Sequence, residues 1–315
     1  MPNSESLRIL TCTVDEHYAD KPIKDLICRH LRISAKTLAR LKRRDDGITV
    51  NGERVTVRYI LKKGDRVTLT LGEETASSEP NAEVLPNNIS VNIVYEDEDI
   101  LVADKPPFMP THPSHGHYRD TLANALAYRY LKEGREHFVF RSVNRLDRNT
   151  SGLVAVAKNK YAASIMCAYM SQGRIRKIYY AVLDGIPSEP GGIIVTYIKR
   201  EKESIITRVV CSETDEGAAR AVTEYEVVAV GENHSLVRLT PLTGRTHQLR
   251  VHMAHIGCPI TGDGIYGKEN KNIGRHALHA ACLEFPDING RTVSLSSELP
   301  DDMKALIESC GINGV

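Results

Sequence analysis

The feature that most limits how this chain can fold is a short apolar run, Leu153-Val154-Ala155-Val156-Ala157. It is rich in β-formers and follows the turn residues Thr150-Ser151-Gly152, so it reads as a buried strand. The loop just ahead of it carries one carboxylate, Asp147, between two arginines, Arg145 and Arg148. A loop residue backed by a core strand is held still enough for chemistry. Charged loop residues are also commonly solvated or paired, so this segment alone leaves a structural ion pair open.

The rest of the chain supplies the frame. Strand patterns cover 91–95, 100–105, 177–183, 205–211, 221–230, 235–242, 277–285 and 292–295. Helical patterns cover 121–132 behind Asp120, 161–171 ahead of Gly173, and 246–255. Strands in consecutive runs with helices interspersed irregularly predict an α+β domain with a mixed, largely antiparallel sheet over residues 89–315. Residues 73–88 are rich in Glu, Ser, Pro and Asn without apolar period, which reads as a flexible linker.

Residues 1–72 form a smaller α/β unit. Asp20 is expected to cap a first helix with Pro22 in its first turn, and Ile23, Leu26, Ile27, His30 and Leu31 make its apolar stripe. Ser34 is expected to cap a second helix whose outer face carries Lys36, Arg40, Arg43 and Arg44. Asn51-Gly52 between β-formers predicts a hairpin, and Gly64-Asp65 a turn before the strand from Arg66 to Leu71. The net charge of +1 over the whole chain points to no polyanion. Its distribution does: Asp20 to Arg66 holds fourteen Lys/Arg against six Asp/Glu, and Val67 to Asp104 holds no Lys or Arg. Two short helices, an Asn-Gly hairpin and a late Lys-Gly-Asp turn resemble the small RNA-binding domain named after ribosomal protein S-four. That resemblance implies a helix pair that presents Lys36, Arg40, Arg43 and Arg44 to RNA phosphates, where counterion release favours binding without reading sequence.

Three further stretches stand out in the larger domain. They are Arg176-Lys177-Ile178-Tyr179-Tyr180, Leu242-Thr243-Gly244-Arg245-Thr246-His247-Gln248-Leu249-Arg250-Val251-His252, and Gly262-Asp263-Gly264-Ile265-Tyr266-Gly267. With Arg145-Leu146-Asp147 and Thr150-Ser151-Gly152-Leu153 they resemble, in one order from about Val91 to Phe285, the RluA family of pseudouridine synthases. The resemblance implies breakage of a uridine C–N glycosidic bond, rotation of the detached base and re-attachment through carbon 5. Asp147 would be the essential carboxylate, acting either as a nucleophile or as a base on the ribose. Arg245 would be its cation, since a cation within reach favours an ionised acid. Tyr179 would stack on the uracil, Arg145 would contact the RNA, and Leu242 would line the pocket. Asn144 departs from the family, which commonly has His there; Asn keeps a hydrogen bond but cannot titrate.

Other chemistries find less support. His247, His252 and His255 share one helical segment, and His112, His115 and His117 one loop, but no spacing matches a zinc signature. Gly-x-Ser-x-Gly is absent. Neither metal nor cofactor is expected for an isomerisation. Seven dispersed cysteines without a Cys-x-x-Cys pair, a polar N-terminus and no long apolar run predict a cytoplasmic protein away from membranes, expected to be a monomer. Ribosomal RNA of the large subunit is the expected substrate. Transfer RNA, or a non-catalytic role in ribosome assembly, are the alternatives.

Overall fold

The computed structural model describes residues 8–71, 84–135, 138–204 and 206–312. In the front part, β1 (Arg8–Thr13), β2 (Ile48–Val50), β3 (Glu53–Arg54) and β4 (Arg66–Leu71) form an antiparallel sheet in the order β1-β4-β2-β3. The β2–β3 hairpin turns through Asn51 at φ 53 and Gly52 at φ 89. Both central residues need positive φ for the turn to match strand twist, which is why Asn-Gly marks it. Asn51 does more than turn: its side-chain oxygen accepts from the Arg66 N–H and its amide donates to Asp65, each at 2.9 Å.

The two helices differ in how legible they are. Ser34 caps α2 (Ala35–Leu41) as expected, accepting from the Thr37 N–H at 3.2 Å. The first helix departs from expectation. Asp20 sits at φ 61 and does not cap it; Pro22 occupies the N-cap of α1 (Ile23–Asp25). The chain then widens into a π-helical turn, Leu26–His30, with the Leu31 N–H reaching the Leu26 carbonyl. The extra residue in that turn rotates His30 out of the apolar stripe, so it is exposed while Ile23, Leu26 and Ile27 are buried.

The larger part holds one sheet. Its strands are β5 (Asn92–Glu96), β6 (Ile100–Lys105), β7 (Arg141–Ser142), β8 (Ser151–Ala157), β9 (Arg176–Asp184), β10 (Gly191–Arg200), β11 (Arg208–Cys211), β12 (Ala219–Val230), β13 (His234–Pro241), β14 (Leu278–Pro286) and β15 (Thr292–Ser296). The order is β11-β10-β12-β13-β9-β14-β8-β6-β5, with β15 on β14 and β7 on β8. Among the described residues every pairing is antiparallel except β8 with β14, which agrees with the expected mixed sheet. Its helices are α3 (Leu122–Lys132), α4 (Lys160–Ser171), α5 (Gln248–His255) and α6 (Asp301–Ser309). Thr121, not Asp120, caps α3, through a reciprocal box with Asn124.

Strand β8 is the centre of this part because both its faces are covered. Val154 and Val156 pack with Leu122 and Leu126 of α3, and Leu153, Ala155 and Ala157 pack with Ala162, Ile165 and Met166 of α4. Two buried faces give a continuous apolar run rather than an alternating one.

The two parts touch. Arg8 of β1 donates to both carboxylate oxygens of Asp99, at 2.9 and 2.7 Å, and Asn159 donates to the same group at 2.8 Å. Tyr161 packs against both cores, and Arg32 lies over the Tyr169 ring at 5.4 Å. Of the expected linker, residues 73–83 lie outside the described residues. Within the remainder, Leu85 and Asn87 hydrogen-bond to Asn124 at the start of α3, and Asn87 also to the Arg119 carbonyl.

Candidate active site

Asp147 lies on the loop between β7 and β8, and that loop is tied from several directions. The buried Lys105 ammonium donates to the carbonyls of Pro106, Met109 and Arg148, at 2.9, 2.8 and 3.2 Å. Thr111 exchanges hydrogen bonds with the backbone of Leu146. Thr150 meets His276 at 2.8 Å, Ser151 meets His279 at 3.0 Å, and Arg275 donates to the Asn149 carbonyl at 3.1 Å. Arg275 is itself fully buried and held by both oxygens of Asp302 in α6. Burial, then the charge of Arg250, push His276 down to about 3, so it holds Thr150 as a neutral ring. Asn144 is buried and bridges two backbone groups of β8, accepting from the Ala155 N–H and donating to the Leu153 carbonyl. Its work here is structural.

The cation that faces Asp147 is Arg250. Its Nη1 lies 3.4 Å from Asp147 Oδ2, while its Nε and Nη2 donate to both oxygens of the buried Asp263 at 2.6 and 2.7 Å. Burial works against the guanidinium charge, but Asp263 and Asp147 together raise its pKa above the ordinary value. The Tyr266 ring supports it from beneath at 5.0 Å. Arg245 is elsewhere. It is exposed, with its Nε on the Arg220 carbonyl at 3.1 Å, and its backbone N–H goes to the Gln248 side chain. This corrects the sequence expectation: Arg245 precedes α5, whereas Arg250 lies inside it on the buried side. A cation among Leu249, Val251 and Met253 was the signal for a buried pair, and Asp263 in Gly262-Asp263-Gly264 was the partner to look for.

His247 was not singled out for a role at Asp147, yet its Nε2 lies 3.8 Å from Asp147 Oδ2. The residue sits in a left-handed conformation at φ 57, ψ 16. The Arg208 N–H donates to the Tyr266 hydroxyl at 2.8 Å, and the same hydroxyl hydrogen-bonds with His247 Nδ1 at 2.9 Å. Burial lowers the His247 pKa, which favours the neutral ring beside Asp147.

Tyr179 is buried on β9, paired in register with Ala280 on one side and Leu239 on the other. Burial, then the negative charge of Asp147, raise its pKa, so the phenol keeps its proton at neutral pH. Leu242, expected to line the pocket, follows β13 and is 59% exposed. Arg145 is exposed, and its charge is second to burial among the causes that lower the His112 pKa. A cavity of about 490 Å³ flanks this site, lined by Asn149, Arg250, Asp263, Gly274, Arg275 and His276 among others; Asp147 and Tyr179 do not line it. Asn149 Oδ1 is buried without a hydrogen-bond partner.

In the front part, Lys36 and Arg40 lie on α2, but the helix stops at Leu41 and leaves Arg43 and Arg44 in the following turn. The four therefore do not share a helix face. Arg44 is engaged by Asp46 at 3.0 and 3.2 Å, two residues on rather than four. Among the described residues no group of three His, Cys, Asp or Glu could hold a metal ion, and no helix is long and apolar enough to cross a membrane. His252, for instance, is occupied by Thr196 and Thr223.

Known proteins resemble this chain in sequence and in fold. The family described as RNA pseudouridylate synthase matches residues 99–255. An RNA pseudouridine synthase of Bacillus subtilis, YjbO, itself uncharacterized, is 37% identical over 279 residues, covering 88% of this chain and 95% of that protein. The ribosomal large subunit pseudouridine synthase D of Zymomonas mobilis is 38% identical over 240 residues, covering 71% of this chain and 74% of its own. The solved structure of human RNA pseudouridylate synthase domain containing 1 superposes with a TM-score of 0.58 at 31% identity, covering 71% of this chain and 89% of that one. With the resemblance of its motif blocks extended to this length and identity, the chain belongs to the RluA family of pseudouridine synthases and is an RNA-modifying isomerase.

Proposed function

We propose that this enzyme converts uridine to pseudouridine in large-subunit ribosomal RNA, with Asp147 as the essential carboxylate. The observation that carries the site is the buried Arg250–Asp263 pair, which points one remaining guanidinium nitrogen at Asp147. Arg250 takes the part first expected of Arg245. The target uridine leaves its stack, at a cost of a few kcal/mol. Asp147 then acts at the sugar, as nucleophile or as base, and the bond from the ribose to N1 breaks. The uracil turns and bonds through carbon 5 as Asp147 is released or returns its proton. The carbon 5 proton leaves and N1 takes one up, so the carboxylate is regenerated and the atoms balance. Tyr179 packs against the base; its protonated phenol can donate a hydrogen bond there. Arg145 and Leu242, both exposed, contact the RNA around the vacated stack. Lys36, Arg40, Arg43 and Arg44 supply phosphate contacts from the front part.

The choice of ribosomal RNA is supported by relatives named ribosomal large subunit pseudouridine synthase D, at 35–38% identity in three bacteria. We read the enzyme as a cytoplasmic monomer; the seven free cysteines are in keeping with a reducing compartment. The test uses RNA tritiated at uracil carbon 5. Large-subunit ribosomal RNA should release tritium with the wild-type protein, transfer RNA should not, and Asp147→Ala should abolish release. Release by Asp147→Ala at the wild-type rate would remove Asp147 from the mechanism; release from transfer RNA alone would reassign the substrate.

A further inference from the structure

Phe108 is out of place by every ordinary measure. The chain has four Phe and no Trp. Phe285 is fully buried, and Phe138 and Phe140 are packed against the main core. Phe108 is 49% exposed. Its backbone sits at φ 65, a left-handed conformation that glycine adopts freely and a bulky side chain rarely does. Nothing about packing rewards that strain, because the ring is not in the core. Strain of this kind collects where function requires it.

The position of Phe108 says what it could serve. Its carbonyl accepts from Arg148 Nε at 3.3 Å, which sets it against the residue that follows Asp147. Lys105 holds the carbonyls of Pro106 and Met109 on either side of it and the Arg148 carbonyl as well, so this loop and the Asp147 loop are fastened to one buried ammonium. A Cβ built at Gly274 would lie 3.9 Å from Phe108 Cζ, so the ring tip reaches the wall of the cavity beside Arg250 and His276. Arg148, which touches the Phe108 carbonyl, and Arg145, on the same loop as Asp147, are both exposed.

We propose that Phe108 is a stacking platform for a nucleobase next to the target uridine. The inference rests on the reading of Asp147 as the centre of an RNA-modifying site. Flipping one base out strips its neighbours of a stacking partner, and an outward aromatic ring beside the acid replaces it. Arg145 and Arg148 are placed to take the adjoining phosphates. A single exposed ring is too small a surface for a stable protein partner, which needs hundreds of square ångströms on each side.

The absence of Trp makes the test direct, since Phe108→Trp is the only indole in the protein. The probe is a single-stranded RNA decamer with one central uridine between adenines, and a second decamer with abasic riboses in place of those adenines. The first should quench the Phe108→Trp fluorescence and the second should not. Phe108→Gly should bind the first decamer about tenfold more weakly than wild type, within the range that base–aromatic stacking allows. The same variant should melt no lower than wild type, because glycine relieves the backbone. A structural role would give the opposite pair: a lower melting temperature and unchanged binding. Equal quenching by both decamers, or full affinity of Phe108→Gly, overturns the proposal. Tritium release by the wild-type protein is measured alongside, so failure of the enzymatic reading is seen separately from failure of the platform.

Discussion

Arg250 and Arg245 are both arginines in one motif, and what separates them is burial. Arg250 is enclosed, so its charge needs a partner with good geometry, and Asp263 provides two hydrogen bonds that fix its plane. Only a guanidinium locked in that way can hold its remaining nitrogen toward Asp147 without rearranging during the reaction. Arg250→Ala should therefore cut tritium release about a hundredfold or more, whereas Arg245→Ala should stay within about tenfold, measured on the same RNA. Equal losses would return Arg245 to the centre. Asp263→Asn should cost on the order of 3–5 kcal/mol in urea unfolding, because it leaves a buried cation uncompensated. At this scale the sequence was partly legible. Asp147 and Tyr179 were named from motifs, and the carboxylate lies near enough to raise the phenol's pKa. Arg250 and His247 were in the same quoted stretch without a role at Asp147. Which side of α5 faces inward depends on where the helix starts, and its N-cap, His247, is a left-handed residue with no side-chain cap to announce it.

Among the elements, β8 and the Asn-Gly hairpin were readable because each has a strong local cause: a doubly buried strand, and a turn that demands positive φ. Strands β1 and β10 and helix α6 were not. Only Leu10 is fully buried in β1, so no alternation marks it. In β10 the exposed positions Ile193 and Val195 are as apolar as the buried Ile194 and Ile198, which erases the period of two. Helix α6 has Pro300 at its N-cap, with no side-chain cap. The parallel contact of β8 with β14 was also invisible locally, although its price is written in Gly152. That residue sits at φ 111, and a Cβ there would stand 2.3 Å from the Ala280 carbonyl oxygen. Gly152→Ala should separate the two strands and destabilise the protein by about 3 kcal/mol, read from the urea midpoint. A loss under about 0.5 kcal/mol would mean the strands can part without consequence.

For the molecule as a whole, charge is divided rather than balanced. The front part carries an excess of cations, and one of them, Arg8, fastens it to the acidic turn of the larger part through Asp99. Replacing Lys36, Arg40, Arg43 and Arg44 together by Gln should weaken RNA binding and lower the slope of log Kd against log salt by about 2 to 3. The decrease falls short of four full contacts because Asp46 already engages Arg44. An unchanged slope would make that surface a solvated one. Topology also spreads the active site along the chain. The loop that carries Asp147 is anchored by His276, by His279 and by Arg275, which in turn needs Asp302. These anchors come up to about 155 residues after the acid, so at translation rates of about 5–20 residues per second a growing chain carries its carboxylate for roughly 8–30 s before the last of them emerges. Each new copy of the enzyme thus presents its front part first, and its Asp147 loop is fastened only once Asp302 has been made.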